Sequence, residues 1–105
     1  MDSVPLGNAY AVPSDDHITV FVTGEIDMLS TPQLDDVLAA AVRDTPSRVE
    51  IDLAQVEFLA STGLRSLVTA KQLADDRGVG YRIVRPSDVA RRVLELSALD
   101  SLLGE

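Results

Sequence analysis

Val49-Glu50-Ile51-Asp52-Leu53-Ala54-Gln55-Val56-Glu57-Phe58-Leu59-Ala60-Ser61-Thr62-Gly63-Leu64 is the stretch on which the fold turns. Val49, Ile51 and Leu53 alternate with Glu50 and Asp52, the period-2 pattern of a strand with one buried face. The alternation then fails, and Ala54 to Ala60 reads as a loop in which Val56, Phe58 and Leu59 are still buried. From Ser61 the period changes. Leu64, Leu67, Val68, Ala70 and Ala74 share one broad face at about 100° per residue, which predicts a helix with Ser61 as N-cap, running to about Arg77 and stopped by Gly78.

The flanks repeat this order. His17 to Thr23 is a β-branched and aromatic run with Ile18, Val20 and Val22 on one face, and Gly24-Glu25-Ile26-Asp27 breaks it. Ser30-Thr31-Pro32-Gln33 predicts a helix start, with Ser30 as N-cap and Gln33 closing a capping box, and the helix continues to about Arg43. Leu34, Val37, Leu38 and Ala41 form its buried stripe, and Asp35 and Asp36 place first-turn charge on its dipole. Thr45-Pro46-Ser47 turns the chain into the strand at 49–53. Further on, Tyr81 to Val84 is a third strand, Pro86-Ser87-Asp88 a turn, Val89 to Leu96 a helix, and Leu99 to Leu103 a last amphipathic turn. Strands alternating with helices predict an α/β domain whose strands at 18–23, 49–53 and 81–84 run largely parallel. Residues 1–16, punctuated by Pro5, Gly7 and Pro13, form a lead-in with room for one edge strand, and the domain proper spans 17–105.

Composition narrows the function. With 105 residues and 46% apolar content the chain has enough material for one core, without disulfide or metal staples. It contains no cysteine, which excludes zinc-thiolate, iron–sulfur and thiol-nucleophile chemistry. Nine bases against 17 acids leave a net charge of −8, and Lys71 with eight scattered arginines makes no phosphate-binding surface, so nucleic acid is not an expected direct partner. No segment reaches the ~20 apolar residues that span a bilayer. Met1-Asp2-Ser3-Val4-Pro5 lacks the basic and apolar regions of a signal peptide, so no membrane insertion and a cytoplasmic location are expected.

Enzyme chemistry finds few candidates. His17 is the only histidine and precedes a strand, so a nucleophilic triad has no base. Glu25, Asp27 and Asp52 would have to converge to hold Mg²⁺ in a receiver-like phosphoacceptor site, yet Glu50 and Asp52 also read as the polar face of a strand, and the strand-end lysine of such a site is missing. No phosphate-cradling glycine motif is present, and no cofactor is expected. Ser61 carries two readings. Taken alone it is a helix cap worth about 1 kcal/mol. As a phosphorylation switch it would place about −1.5 to −2 charge where a helix N-terminus favours an anion, leaving the fold intact while vetoing a partner.

Thr23-Gly24-Glu25-Ile26-Asp27, Thr31-Pro32-Gln33-Leu34, Ile51-Asp52-Leu53, Val56-Glu57-Phe58-Leu59 and Ala60-Ser61-Thr62-Gly63-Leu64 follow one another in an order that resembles the STAS domain of anti-sigma factor antagonists. Val84-Arg85-Pro86, Val89 to Leu96 and Leu99-Asp100 extend the likeness over about residues 17–103. The resemblance implies a single STAS-like domain, an open, mixed, mostly parallel sheet with helices packed mainly on one face. It also implies partner switching: the unmodified antagonist binds an anti-sigma factor with a serine-kinase fold and frees the sigma factor, phosphorylation ends the contact, and a PP2C-type phosphatase restores it. The family's Asp-Ser-Ser-Gly-Leu motif has its acceptor at the first serine, which is Ser61, with Thr62 as the second hydroxyl and Gly63 as the glycine.

Glu25, Asp27, Ala60, Ser61, Thr62, Gly63 and Arg65 are then the expected partner-binding residues, Arg65 facing out and Leu64 facing the core. Two departures stand out. Ala60 replaces the aspartate that usually precedes the acceptor, which removes an anion beside the incoming phosphate. The sequence ends at Glu105, where many relatives continue into a further strand and helix, so an unprotected sheet edge inviting a partner or a second copy is expected. Ala60 also supports the alternative: a constitutive STAS-type regulatory or scaffolding subunit, such as the partner of a transporter ATPase or a member of a stress-sensing complex, without a phospho-switch.

Overall fold

A computed structural model describes residues 6–102; the expected end of the last turn, at Leu103, lies outside them. Four strands form one sheet in the order β1 (Asn8–Pro13), β2 (His17–Ile26), β3 (Arg48–Leu59) and β4 (Gly80–Val84). β1 pairs antiparallel with β2, and β2, β3 and β4 run parallel. Helices α1 (Thr31–Asp44) and α2 (Ser61–Arg77) make the two crossovers, and α3 (Asp88–Leu96) with a short 3₁₀ turn at Asp100–Leu102 follows β4. Because β2, β3 and β4 are neighbours in chain order, two right-handed crossovers must place α1 and α2 on the same face. Val20, Val22, Ile51, Leu53 and Ile83 line that face beneath Leu34, Leu38, Leu67 and Leu94, all fully buried. The mixed, mostly parallel sheet is the expected α/β class.

The opposite face carries the polar half of the alternation. Tyr10 of β1 stacks on Phe21 of β2 with ring centroids 5.3 Å apart. Glu50 of β3 accepts hydrogen bonds from Arg48 Nε (2.9 Å) and Arg82 Nη2 (3.0 Å), which hold its carboxyl below the usual glutamate range, the Arg48 bond contributing most. Asp52, only 6% exposed, accepts from the Ala54 backbone N–H at 2.9 Å and sits 3.5 Å from Arg85 Nε. Its carboxylate is thereby a structural acceptor.

β2 and β3 are longer than their alternation predicts. Gly24-Glu25-Ile26 does not break β2, and Ala54 to Leu59 is strand and not loop. The register explains both. Phe21 pairs with Asp52 and Thr23 with Gln55; Gly24 pairs with Val56 and Glu25 with Phe58. Each step gives β3 one residue more than β2, so two β-bulges carry the ladder on to the Ile26–Leu59 pair. Buried residues on β3 accordingly step from Leu53 to Val56 to Leu59, a period of three. Gly24 accommodates its bulge at φ 78°, a conformation a side chain would strain.

Helix entries differ from expectation as well. Ser30 precedes α1 with helical dihedrals and makes no side-chain cap bond, and Gln33 donates to Asn8 Oδ1 (3.0 Å), so no capping box forms. Asp35 and Asp36 fall beyond the first turn of α1, which contains no acidic residue. α2 ends at Gly78 in the left-handed region (φ 69°), as its sequence predicts, and Ser87 caps α3 by accepting from the Ala90 N–H at 3.1 Å.

Candidate functional site

β2 and β3 end side by side, and each passes directly toward a helix, so the carboxyl ends of two parallel strands and the start of α2 form one surface. In open α/β sheets this end collects binding residues, because the loops there are positioned by strands and left free of the core. The Ala60 N–H donates to the Ile26 carbonyl at 2.9 Å, which ties the α2 entry to the end of β2. Ala60 is also the N-cap of α2: its backbone is extended, and its carbonyl accepts from the Gly63 and Leu64 N–H groups at 2.9 and 3.1 Å. Ser61 is therefore the first helical residue, one position inside the expected cap.

That shift decides the state of the hydroxyl. An N-cap oxygen is spent on the N–H groups of the first turn, whereas Ser61 is exposed and its hydroxyl makes no hydrogen bond among the described residues. Thr62 is placed the opposite way: its Oγ1 is buried and has no partner among the described residues. Gly63 is buried where α2 meets β2; a Cβ there would lie 2.7 Å from Leu59 Cδ1 and 2.8 Å from Ile26 Cγ2, so the close approach admits only glycine without a shift. Leu64 packs against the core, and Arg65 faces solvent.

On the β2 side, Glu25 and Asp27 are half-buried. Asp27 organises the turn into α1. Its Oδ1 accepts from the Leu29 N–H (3.0 Å) and the Ser30 N–H (3.2 Å), and its carbonyl accepts from the Ser30 and Thr31 N–H groups. Ser30 Oγ in turn accepts from the Asp27 N–H at 2.9 Å. Asp27 thus does the capping that the sequence assigned to Ser30. This turn thrusts Met28 and Leu29 outward, 72% and 90% exposed, and Phe58 of β3 is 48% exposed, contrary to its expected burial. Sequence reasoning missed this apolar trio; an apolar pair between Asp27 and Ser30, in a segment too short to fold back on the core, was the available signal.

Asp52 stands apart from the Glu25 and Asp27 carboxylates in its engagement, bound to Ala54 and Arg85. Among the described residues no group of three or more histidines or carboxylates is placed to hold a metal ion. Between α1 and α2 runs a groove of about 490 Å³, lined by Asp35, Asp36, Thr62, Arg65, Ser66 and Thr69 among others. Among the described helices none is long and apolar enough to cross a membrane.

This arrangement has close counterparts. The family described as Mlab, STAS domain, matches residues 11–104. The anti-sigma-F factor antagonist RsfB of Mycobacterium tuberculosis is 34% identical over 79 residues, covering 75% of this chain and 64% of the relative's own length. The anti-sigma-B factor antagonist of Listeria monocytogenes is 31% identical over 88 residues, covering 84% of this chain and 77% of the relative. Among solved structures, the crystal structure of an anti-sigma factor antagonist from Mycobacterium paratuberculosis superposes with a TM-score of 0.83 at 33% identity, covering 93% of this chain and 83% of the other. The named relatives are regulatory proteins. A match over almost the whole domain, with named antagonists at 31% and 33% identity and the same fold, makes this chain a member of the STAS-domain family of anti-sigma factor antagonists.

Proposed function

We propose that the protein works by partner switching: unmodified, it binds an anti-sigma factor with a serine-kinase fold and so frees a sigma factor; phosphorylated on Ser61, it lets go. A PP2C-type phosphatase restores the binding form. The observation that carries this reading is the Ser61 hydroxyl at the first position of α2, exposed and unbonded among the described residues, on a helix entry that the Ala60–Ile26 hydrogen bond ties to the end of β2. The buried hydroxyl of Thr62 favours Ser61 as the acceptor.

The contact face combines Glu25, Asp27, Ala60, Ser61 and Arg65 with the exposed Met28, Leu29 and Phe58, while the buried Gly63 and the inward Thr62 hydroxyl support it from beneath. Apolar side chains standing out of a polar rim are the usual anchors of a protein interface. A dianionic phosphate set among them is tolerated by the helix N-terminus behind it but would have to be desolvated by a partner in front of it. Release without unfolding follows from that asymmetry.

Affinity capture from the native cell with wild-type, Ser61→Ala and Ser61→Glu baits tests the reading. Wild type and Ser61→Ala are expected to hold a kinase-fold anti-sigma factor that Ser61→Glu releases. Ala60, in place of the family's aspartate, favours a second reading: a constitutive STAS-type subunit in which Ser61 has no regulatory role. Capture of the same partner by all three baits, with no modification at Ser61 or Thr62 by mass spectrometry, would establish that reading instead.

A further inference from the structure

We infer that Arg65 is the counter-charge for phosphorylated Ser61, so that the modification forms an ordered ion pair along the first turns of α2. This rests on the reading of Ser61 as the acceptor and adds how the modified state is held. Ser61 and Arg65 are both exposed and stand four residues apart on one helix, which puts their Cβ atoms on the same face about 5–6 Å apart. The acidic partner lies N-terminal to the basic one, the order that also agrees with the helix dipole.

Four of the other cations are already engaged. Arg48 and Arg82 bind Glu50, Arg85 lies at Asp52, and Lys71 pairs with Asp75 at 2.6 Å. Arg65 makes no ion pair among the described residues, although Asp35 and Asp36 line the same groove. The first turn of α2 contains no carboxylate and Ala60 supplies none in front of it, so on α2 itself nothing at this end competes with a phosphate for the guanidinium, and Asp35 and Asp36 across the groove are the competing anions. A guanidinium fork matches two phosphate oxygens at once. Pairing would draw Arg65 from the mouth of the α1–α2 groove toward Ser61, and the contact face would lose a free donor as it gains the phosphate.

The test installs phosphoserine at position 61 during translation in the full chain, with Arg65 retained or changed to Ala or Lys. Phosphorus NMR then follows the second phosphate ionisation, ordinarily near ~6. With Arg65 present it is expected to lie about half a pH unit below its value in the Arg65→Ala protein, with Arg65→Lys between them and the differences shrinking at ~1 M salt. Identical titrations of the Arg65 and Arg65→Ala proteins would overturn the pairing and leave the helix terminus as the whole of the effect. Circular dichroism checks that these surface variants are folded. No kinase is needed to make the phosphoprotein, so failure here is separate from failure of the Ser61 baits, which judges the acceptor assignment alone.

Discussion

Removing the Asp27 carboxylate separates its bonds in the turn before α1 from the partner contact proposed for it. In Asp27→Ala the Leu29 and Ser30 N–H groups lose the acceptor they reach at 3.0 and 3.2 Å, the first bond exposed to water and the second half-buried. Loss of a carboxylate cap of this kind costs about 1–2 kcal/mol. For a domain of this size each kcal/mol lowers the melting temperature by about 4–8 °C. Asp27→Asn keeps an oxygen in the same place and is expected within about 0.5 kcal/mol of wild type. Urea denaturation followed by circular dichroism measures both. An Asp27→Ala protein as stable as wild type, or an Asn variant as damaged as the Ala variant, would refute the capping argument. Because Asn preserves the turn without the charge, any loss of partner capture by that variant measures the charge at the contact face and not a collapsed loop.

Glu50 gives the fold a pH dependence of known sign. Its folded pKa is depressed by Arg48 and Arg82, so the stabilisation is complete above the ordinary glutamate value and is lost as pH falls through the lower folded value. Wild type should therefore exceed Glu50→Gln in urea midpoint at pH 7 and lose that advantage as pH falls below the ordinary glutamate range, and an advantage unchanged with pH would contradict it. The cap assignment at α2 is checked by a pair of variants: Ala60→Asp should stabilise by about 1 kcal/mol and Ser61→Ala should cost less than about 0.5 kcal/mol, whereas the reverse ranking would return the cap to Ser61.

The α/β class, the order of strands and helices and the end of α2 at Gly78 were legible because each rests on a local signal: a period, a β-branched run or a glycine stop. The length of β3 was not. A bulge adds one residue to one strand, so its buried face steps by three, and Leu53, Val56 and Leu59 lose the alternation by which a strand is recognised. The missing information lay in the partner strand, since only the pairing of Phe21 with Asp52 and of Thr23 with Gln55 reveals the extra residue. Asp52 looked like a candidate ligand for the same reason: its carboxylate supports the N–H of Ala54, one of the residues that the bulge sets out of the ladder.

The start of α2 was legible to within one residue, and that residue matters. Side-chain preference alone puts the cap on Ser61, because Ala is a poor N-cap and Ser a good one. The backbone puts it on Ala60, whose carbonyl is taken by Gly63 and Leu64 while its N–H is held by Ile26. Gly63 makes the placement possible, since a larger residue would collide with Leu59 and Ile26 and lift the helix from the strand ends. A poor cap is thus accepted at Ala60 by tertiary packing, and its consequence is chemical: the serine that would otherwise have capped the helix stands at its first position, with a hydroxyl that bonds nothing among the described residues. The same displacement turns Thr62 inward and leaves Arg65 one turn beyond Ser61 on the exposed face. Stability at this helix entry is conceded by the absence of a side-chain cap, and the group released by that concession is the hydroxyl that the proposed switch requires.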